Sequence, residues 1–154
     1  MNILLIYINE LGETFLCDYL YEKYRMEFQT RITSAIASGL IMLAVSLGAL
    51  GSHFLKTRLS QDALSSFEVG VRYLIYHSFA ILLINNLSAL DTNVKSTFVK
   101  LILAGVLLFS GSIFLLATKE FHGWPVKYLG PITPIGGLLL ISAWGYLMFS
   151  FLKK

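Results

Sequence analysis

The stretch Phe98–Ala117, FVKLILAGVLLFSGSIFLLA, holds one charge in twenty residues. A hydrocarbon core about 30 Å thick takes about 20 helical residues to cross. Lys100, near its start, can snorkel to the headgroups. Three further windows read the same way: Ile32–Gly51, Val71–Leu90 and Pro134–Leu152. Inside lipid a helix satisfies its own backbone polar groups, so each window is expected to be helical. The expected fold is an all-α integral membrane four-helix bundle. A soluble bundle is disfavoured, because four such runs in one short chain leave almost no polar face.

The totals agree. The 154 residues make room for one domain and are 56% hydrophobic and 14% charged, against roughly 25% charged in soluble domains. The net charge of +3 comes from scattered basic residues without a patch, which excludes nucleic acid as a partner and suits anionic lipid. Cys17 stands alone, so no intramolecular disulfide or zinc-type spacing exists.

The connections have distinct chemistry. Ser60 is a good N-cap before Gln61 and Asp62. Leu59, Ala63, Phe67, Val71 and Leu74 follow at helical spacing, with Arg58, Asp62, Ser65, Ser66 and Glu68 mostly on other faces. This predicts an amphipathic interfacial lead-in running into the second span. Asp91-Thr92-Asn93 reads as a turn, and Thr133-Pro134 as N-cap and first residue of the last helix. The aromatics of Phe121–Tyr128 suit the headgroup level.

Small residues recur in the spans: Ala35 with Gly39, Ala44 with Gly48, Gly105 with Ser112, and Gly136 with Ala143. Such pairs let helix backbones approach, which matters where lipid gives no hydrophobic drive to associate. They are expected to pack the bundle, with a homo-oligomer interface as the lesser alternative. No internal repeat is visible, which weighs against an inverted-repeat transporter.

Residues 1–25 lack a span and signal-peptide features. Leu4, Ile8, Leu11, Phe15 and Tyr19 form an apolar stripe, interrupted by Glu10, Glu13, Asp18 and Glu22. The stretch is expected to lie outside the folded unit of residues 26–154, as a tail or through translation starting at Met26. With four spans, both termini share one side with Lys23, Arg25, Arg31, Lys95, Lys100, Lys153 and Lys154. The other side carries Lys56, Arg58, Arg72, Lys119 and Lys127. The positive-inside bias then expects cytoplasmic termini, with Lys23 and Arg25 tipping the balance.

An ordered series runs along the chain: Gly48-Ala49-Leu50-Gly51-Ser52-His53, Phe67-Glu68-Val69-Gly70-Val71-Arg72-Tyr73 with Tyr76-His77, Leu108-Phe109-Ser110-Gly111-Ser112, and Gly130-Pro131-Ile132-Thr133-Pro134-Ile135-Gly136-Gly137. It resembles the YgdD/YwdK family of small bacterial membrane proteins of unknown function, and more distantly the eukaryotic transmembrane protein 256. The resemblance covers about Met26 to the C-terminus. It implies a four-helix plasma-membrane protein and supplies no reaction.

The candidate polar site is His53, Glu68, Arg72, Tyr73, Tyr76, His77 and Thr133. Each has a plainer reading: an interfacial histidine at His53, an exposed i,i+4 pair at Glu68 and Arg72, an ordinary helix cap at Thr133. On a wheel with Glu68 at about 0°, Arg72 falls near 40°, Tyr76 near 80°, Tyr73 near 140° and His77 near 180°. Arg72, Tyr73 and His77 are expected to face the interior, around a polar cavity or as cross-helix bonds. A histidine at that depth needs a partner, and Ser110, Ser112, Thr133 or His53 is expected to supply it. A haem between His53 and His77 is disfavoured by their different depths. No cofactor and no metal are expected.

No nucleophile–base set, phosphate loop or paired-carboxylate site is present, so no enzyme is expected. Two functional classes remain. The favoured one is a non-enzymatic membrane component or accessory subunit, with the lipid bilayer and a homo-oligomer or membrane-protein partner around it. The other is a carrier or pore for a small solute or proton, lined by the second span.

Overall fold

The computed structural model describes the backbone of residues 2–153 and the side chains of residues 16–126 and 128–153. Helix α1 runs Asn2–His53, α2 Gln61–Asn86, α3 Thr92–Ala117, α4 Lys119–His122 and α5 Ile132–Leu152, with 3-10 turns at Leu55–Thr57 and Val126–Tyr128. No strand occurs among the described residues. Among the described residues, four stretches are long and apolar enough to cross a membrane: Leu16–Thr57, Gln61–Asn86, Thr92–Ala117 and Ile132–Leu152. The expected all-α, four-span fold is borne out.

The chain divides into two compact units, Met1–Ile32 and Thr33–Lys154. In the first, Arg25 pairs with Glu22 at 2.9 Å and Arg31 with Glu27 at 2.7 Å, all four exposed. Such pairs on a helix surface add only about 0.2–0.5 kcal/mol each. The side chains of the apolar stripe before Tyr19 lie outside the described residues, and Tyr19 is exposed.

The second unit is built around α3, which packs extensively against α5 and against α2. Glycine makes this possible. A Cβ on Gly105 would fall 2.6 Å from Leu140 Cδ2, and one on Gly70 2.7 Å from the Phe114 ring. Phe67 and Phe114 then stack tilted with centroids 5.0 Å apart. Phe98, Ile81 and Ile102 are fully buried between the helices. Ala44 and Ala143 are likewise buried, whereas Gly39 has open space around it and Ala35 is exposed.

Polar bonds tie one end of this unit together. Asn85 Nδ2 donates to the Thr33 and Ser34 hydroxyls, each at 2.9 Å, linking α2 to α1. Lys95 Nζ donates to the Asn85 carbonyl at 3.2 Å, adding α3. At the other end Ser60 caps α2, its hydroxyl accepting from the Ala63 N–H at 3.3 Å. Leu64, Phe67, Val71 and Leu74 are buried behind it, and Asp62, Ser65, Ser66 and Glu68 are exposed, as the amphipathic lead-in requires. The Arg58 guanidinium lies 4.1 Å from the Phe54 ring centroid. Gly123, with φ of 63°, ends α4 in the left-handed region that favours glycine. His122 folds this loop back, accepting from the Trp124 N–H at 3.1 Å and donating to the Leu115 carbonyl at 3.0 Å.

Two boundaries differ from expectation. Asp91 is the N-cap of α3, so Thr92 and Asn93 already belong to the helix and the turn lies before them. Pro131 precedes α5, which places Thr133 and Pro134 inside its first turn. The first-turn N–H groups have no intrahelical acceptor, so proline is tolerated there without loss of a bond.

Candidate functional site

A groove of about 670 Å³ opens on the side of the second unit. Tyr73, Tyr76 and His77 of α2 line one wall, Gly137, Leu140, Ile141 and Trp144 of α5 the other, and Phe109 of α3 contributes between them. Its rings follow one another at packing distance: Tyr73 to Phe109 at 4.6 Å, Tyr73 to His77 at 5.6 Å and His77 to Trp144 at 6.3 Å. Phe98 braces Trp144 edge-on at 5.4 Å. Separations of 4.5–7 Å are those that aromatic pairs favour. Tyr76 is 62% exposed and Trp144 46%, whereas His77 is only 7% exposed.

His77 is held by its own helix. Its Nδ1 lies 2.8 Å from the Tyr73 carbonyl oxygen. A carbonyl only accepts, so Nδ1 carries the proton, and in the neutral ring Nε2 is an acceptor. Nε2 has no hydrogen-bond partner among the described residues. The expected partners Ser110, Ser112, Thr133 and His53 do not reach it. Bonding back to a carbonyl one turn earlier is the shortest way to satisfy a polar side chain in a lipid-embedded helix, as Ser78 also does with Leu74 at 2.7 Å.

The other candidates scatter. Arg72 and Tyr73 are exposed, not interior as expected, because the α2 face buried by packing carries Val71, Leu74 and His77, so only His77 of the three faces inward. Glu68, also exposed, forms no ion pair with Arg72 among the described residues. His53 is exposed at the end of α1. Thr133 joins α5 to α3, its hydroxyl 2.7 Å from that of Ser112, and also donates to the Leu129 carbonyl at 3.4 Å. Of the seven candidates the groove gathers Tyr73, Tyr76 and His77. No set of three or more His, Cys, Asp or Glu side chains is placed to hold a metal among the described residues.

Phe109, Gly137, Leu140, Ile141 and Trp144 are not among the expected site residues, although Phe109 and Gly137 belong to the ordered series that carries the resemblance. Hydropathy treats them as lipid-facing, and only the α2–α3–α5 packing brings them together. Trp144 carried a signal, since tryptophan prefers the membrane interfaces and this one sits mid-span.

A family model described as protein of unknown function (DUF423) matches residues 47–137. The chain belongs to this family. It is 38% identical over 113 residues to a UPF0382 membrane protein of Staphylococcus aureus (strain bovine RF122 / ET3-1), covering 73% of this chain and 88% of the relative. It is 32% identical over 114 residues to the UPF0382 membrane protein YwdK of Bacillus subtilis (strain 168), covering 73% and 89%. The resemblance to the YgdD/YwdK family is thereby established, and with it a small membrane protein. No solved structure matches. Within the DUF423 match fall Tyr73, Tyr76, His77, Phe109 and Gly137 of the groove, while Leu140, Ile141 and Trp144 lie beyond it.

Proposed function

We propose that the protein is a non-enzymatic component of the plasma membrane, with cytoplasmic termini, that binds partners within the bilayer and passes no solute across it. The observation that carries this reading is how the polar side chains of α2, α3 and α5 are spent. Among the described residues these spans bury no charged side chain. The Ser78 hydroxyl bonds back to Leu74 and that of Ser112 meets Thr133, while the buried Ser110 hydroxyl has no partner among the described residues. Solute and proton pathways use ionisable groups facing an interior cavity. Here Tyr73, Tyr76 and His77 line a groove on the side of the unit. The cytoplasmic orientation rests on the basic residues flanking the spans.

A membrane-protein partner has support on α1, where Ala35 and Gly39 are exposed and a side chain at Gly39 would meet nothing within 4 Å. Small residues there admit a second helix closely.

The deciding experiment is flux through liposomes carrying the full chain. Proton and glycerol entry should match protein-free liposomes. Protein-dependent flux that saturates with glycerol, or collapses a proton gradient, would restore the carrier or pore lined by the second span. Without flux, a partner should co-purify from native membrane in mild detergent.

A further inference from the structure

We infer that the groove between α2 and α5 is a binding site for a flat, hydroxyl-bearing ring dissolved in the bilayer, of the phenol or quinol class. The inference rests on the reading of the protein as one that binds within the membrane.

Two features of the groove fix the chemistry. Its lining alternates ring faces and edges: Tyr73 packs on Phe109 and on His77, and His77 meets Trp144 edge-on. Such a wall favours another flat ring over a flexible acyl chain, because stacking adds to area burial. Trp144 and Tyr73 remain partly exposed, so ring area is still free to contact a guest. Gly137 carries no side chain into this space, and the volume of about 670 Å³ lies within the range usual for small-molecule sites.

The second feature is polar. His77 is nine-tenths buried, lines the groove, and has Nδ1 committed to the Tyr73 carbonyl. Nε2 therefore offers a lone pair that no donor meets among the described residues. A polar group left unpaired in hydrocarbon is costly, so a guest that brings an O–H gains from meeting it. At Nε2 the match is selective by hydrogen-bond sense. A hydroxyl donates to Nε2, whereas a quinone carbonyl or an ether offers only another acceptor. A charged guest would be costly here, since no charged side chain lines the groove among the described residues.

The test compares 2-naphthol with 2-methoxynaphthalene, which keeps the rings and loses the donor. Binding is measured by titration calorimetry on the full chain in lipid nanodiscs, with empty nanodiscs as the partitioning blank. The expected result is saturable binding of 2-naphthol, with 2-methoxynaphthalene weaker by roughly tenfold, the worth of one hydrogen bond. In His77→Phe, which keeps a ring in place, naphthol should fall to the level of the ether. Equal binding of the two compounds to the unaltered protein would overturn the proposal and leave an acyl-chain groove. No saturable binding, or an undiminished preference in a folded His77→Phe, would overturn it as well. Solute flux in liposomes would sink the non-transport reading and leave the naphthol preference standing, so the two failures are distinguishable.

Discussion

Gly136 of α5 lies against the backbone of α3 at Phe109, so close that a Cβ would come within 2.8 Å of the Phe109 Cα. Backbone cannot step aside as a flexible side chain can. The neighbouring Gly137 faces the Phe109 ring instead, where a Cβ would meet ring carbons at 3.7 Å, an ordinary contact. Gly136→Ala should therefore lower stability by about 1–3 kcal/mol, the usual cost of overpacking. Gly137→Ala should stay within about 0.5 kcal/mol of the parent. Thermal or SDS-induced unfolding in detergent, run side by side, checks the contrast.

The Ser112–Thr133 hydroxyl pair joins the same two helices farther along. Each hydroxyl also has a backbone carbonyl within reach, at Phe109 and Leu129, so single substitutions should be mild. A double-mutant cycle of Ser112→Ala and Thr133→Val should give a coupling of about 0.6 kcal/mol, typical of hydrogen bonds between membrane helices. Zero coupling would mean that the hydroxyls do not meet.

Ser110 is the opposite case. It is 1% exposed and its Oγ has no hydrogen-bond partner among the described residues. Removing an unmet hydroxyl removes a desolvation penalty. Ser110→Ala should leave stability unchanged or raise it by about 1 kcal/mol, read from the same unfolding curves.

These contrasts mark what the sequence could reveal. The four spans follow from uninterrupted apolar length, and the Ser60 cap from a hydroxyl placed before an acidic first turn, because both are local. The small residues announced close packing at Gly105 and Gly136. They did not announce which partner each meets, since Gly39 has the same chemistry and faces open space. Thr133 looked like a cap and proved to be a cross-link, because either role needs only a hydroxyl near a helix start. Tyr73, Tyr76 and His77 stood out as polar groups in an apolar run. Trp144 and Ile141 did not, since their place in the groove depends on how three helices pack.

Asn85 links α2 to α1 through two hydroxyls. Asn85→Leu should loosen that link without unfolding the α2–α3–α5 core. The expected readout is faster amide hydrogen exchange around Thr33 and Ser34, with protection at Ile102 and Val106 unchanged. Exchange that rises equally in all four places would show that the link supports the entire unit.

On the proposed function the groove opens to lipid and not to a water-filled path. A nitroxide attached at Tyr76→Cys, in a Cys17→Ser background, reports on this directly, because Tyr76 is 62% exposed and tolerates a label. In liposomes, its relaxation should be enhanced strongly by oxygen, which concentrates in the bilayer, and only weakly by a water-soluble nickel chelate. Stronger enhancement by the chelate would place Tyr76 in water and rule out a lipid-facing groove.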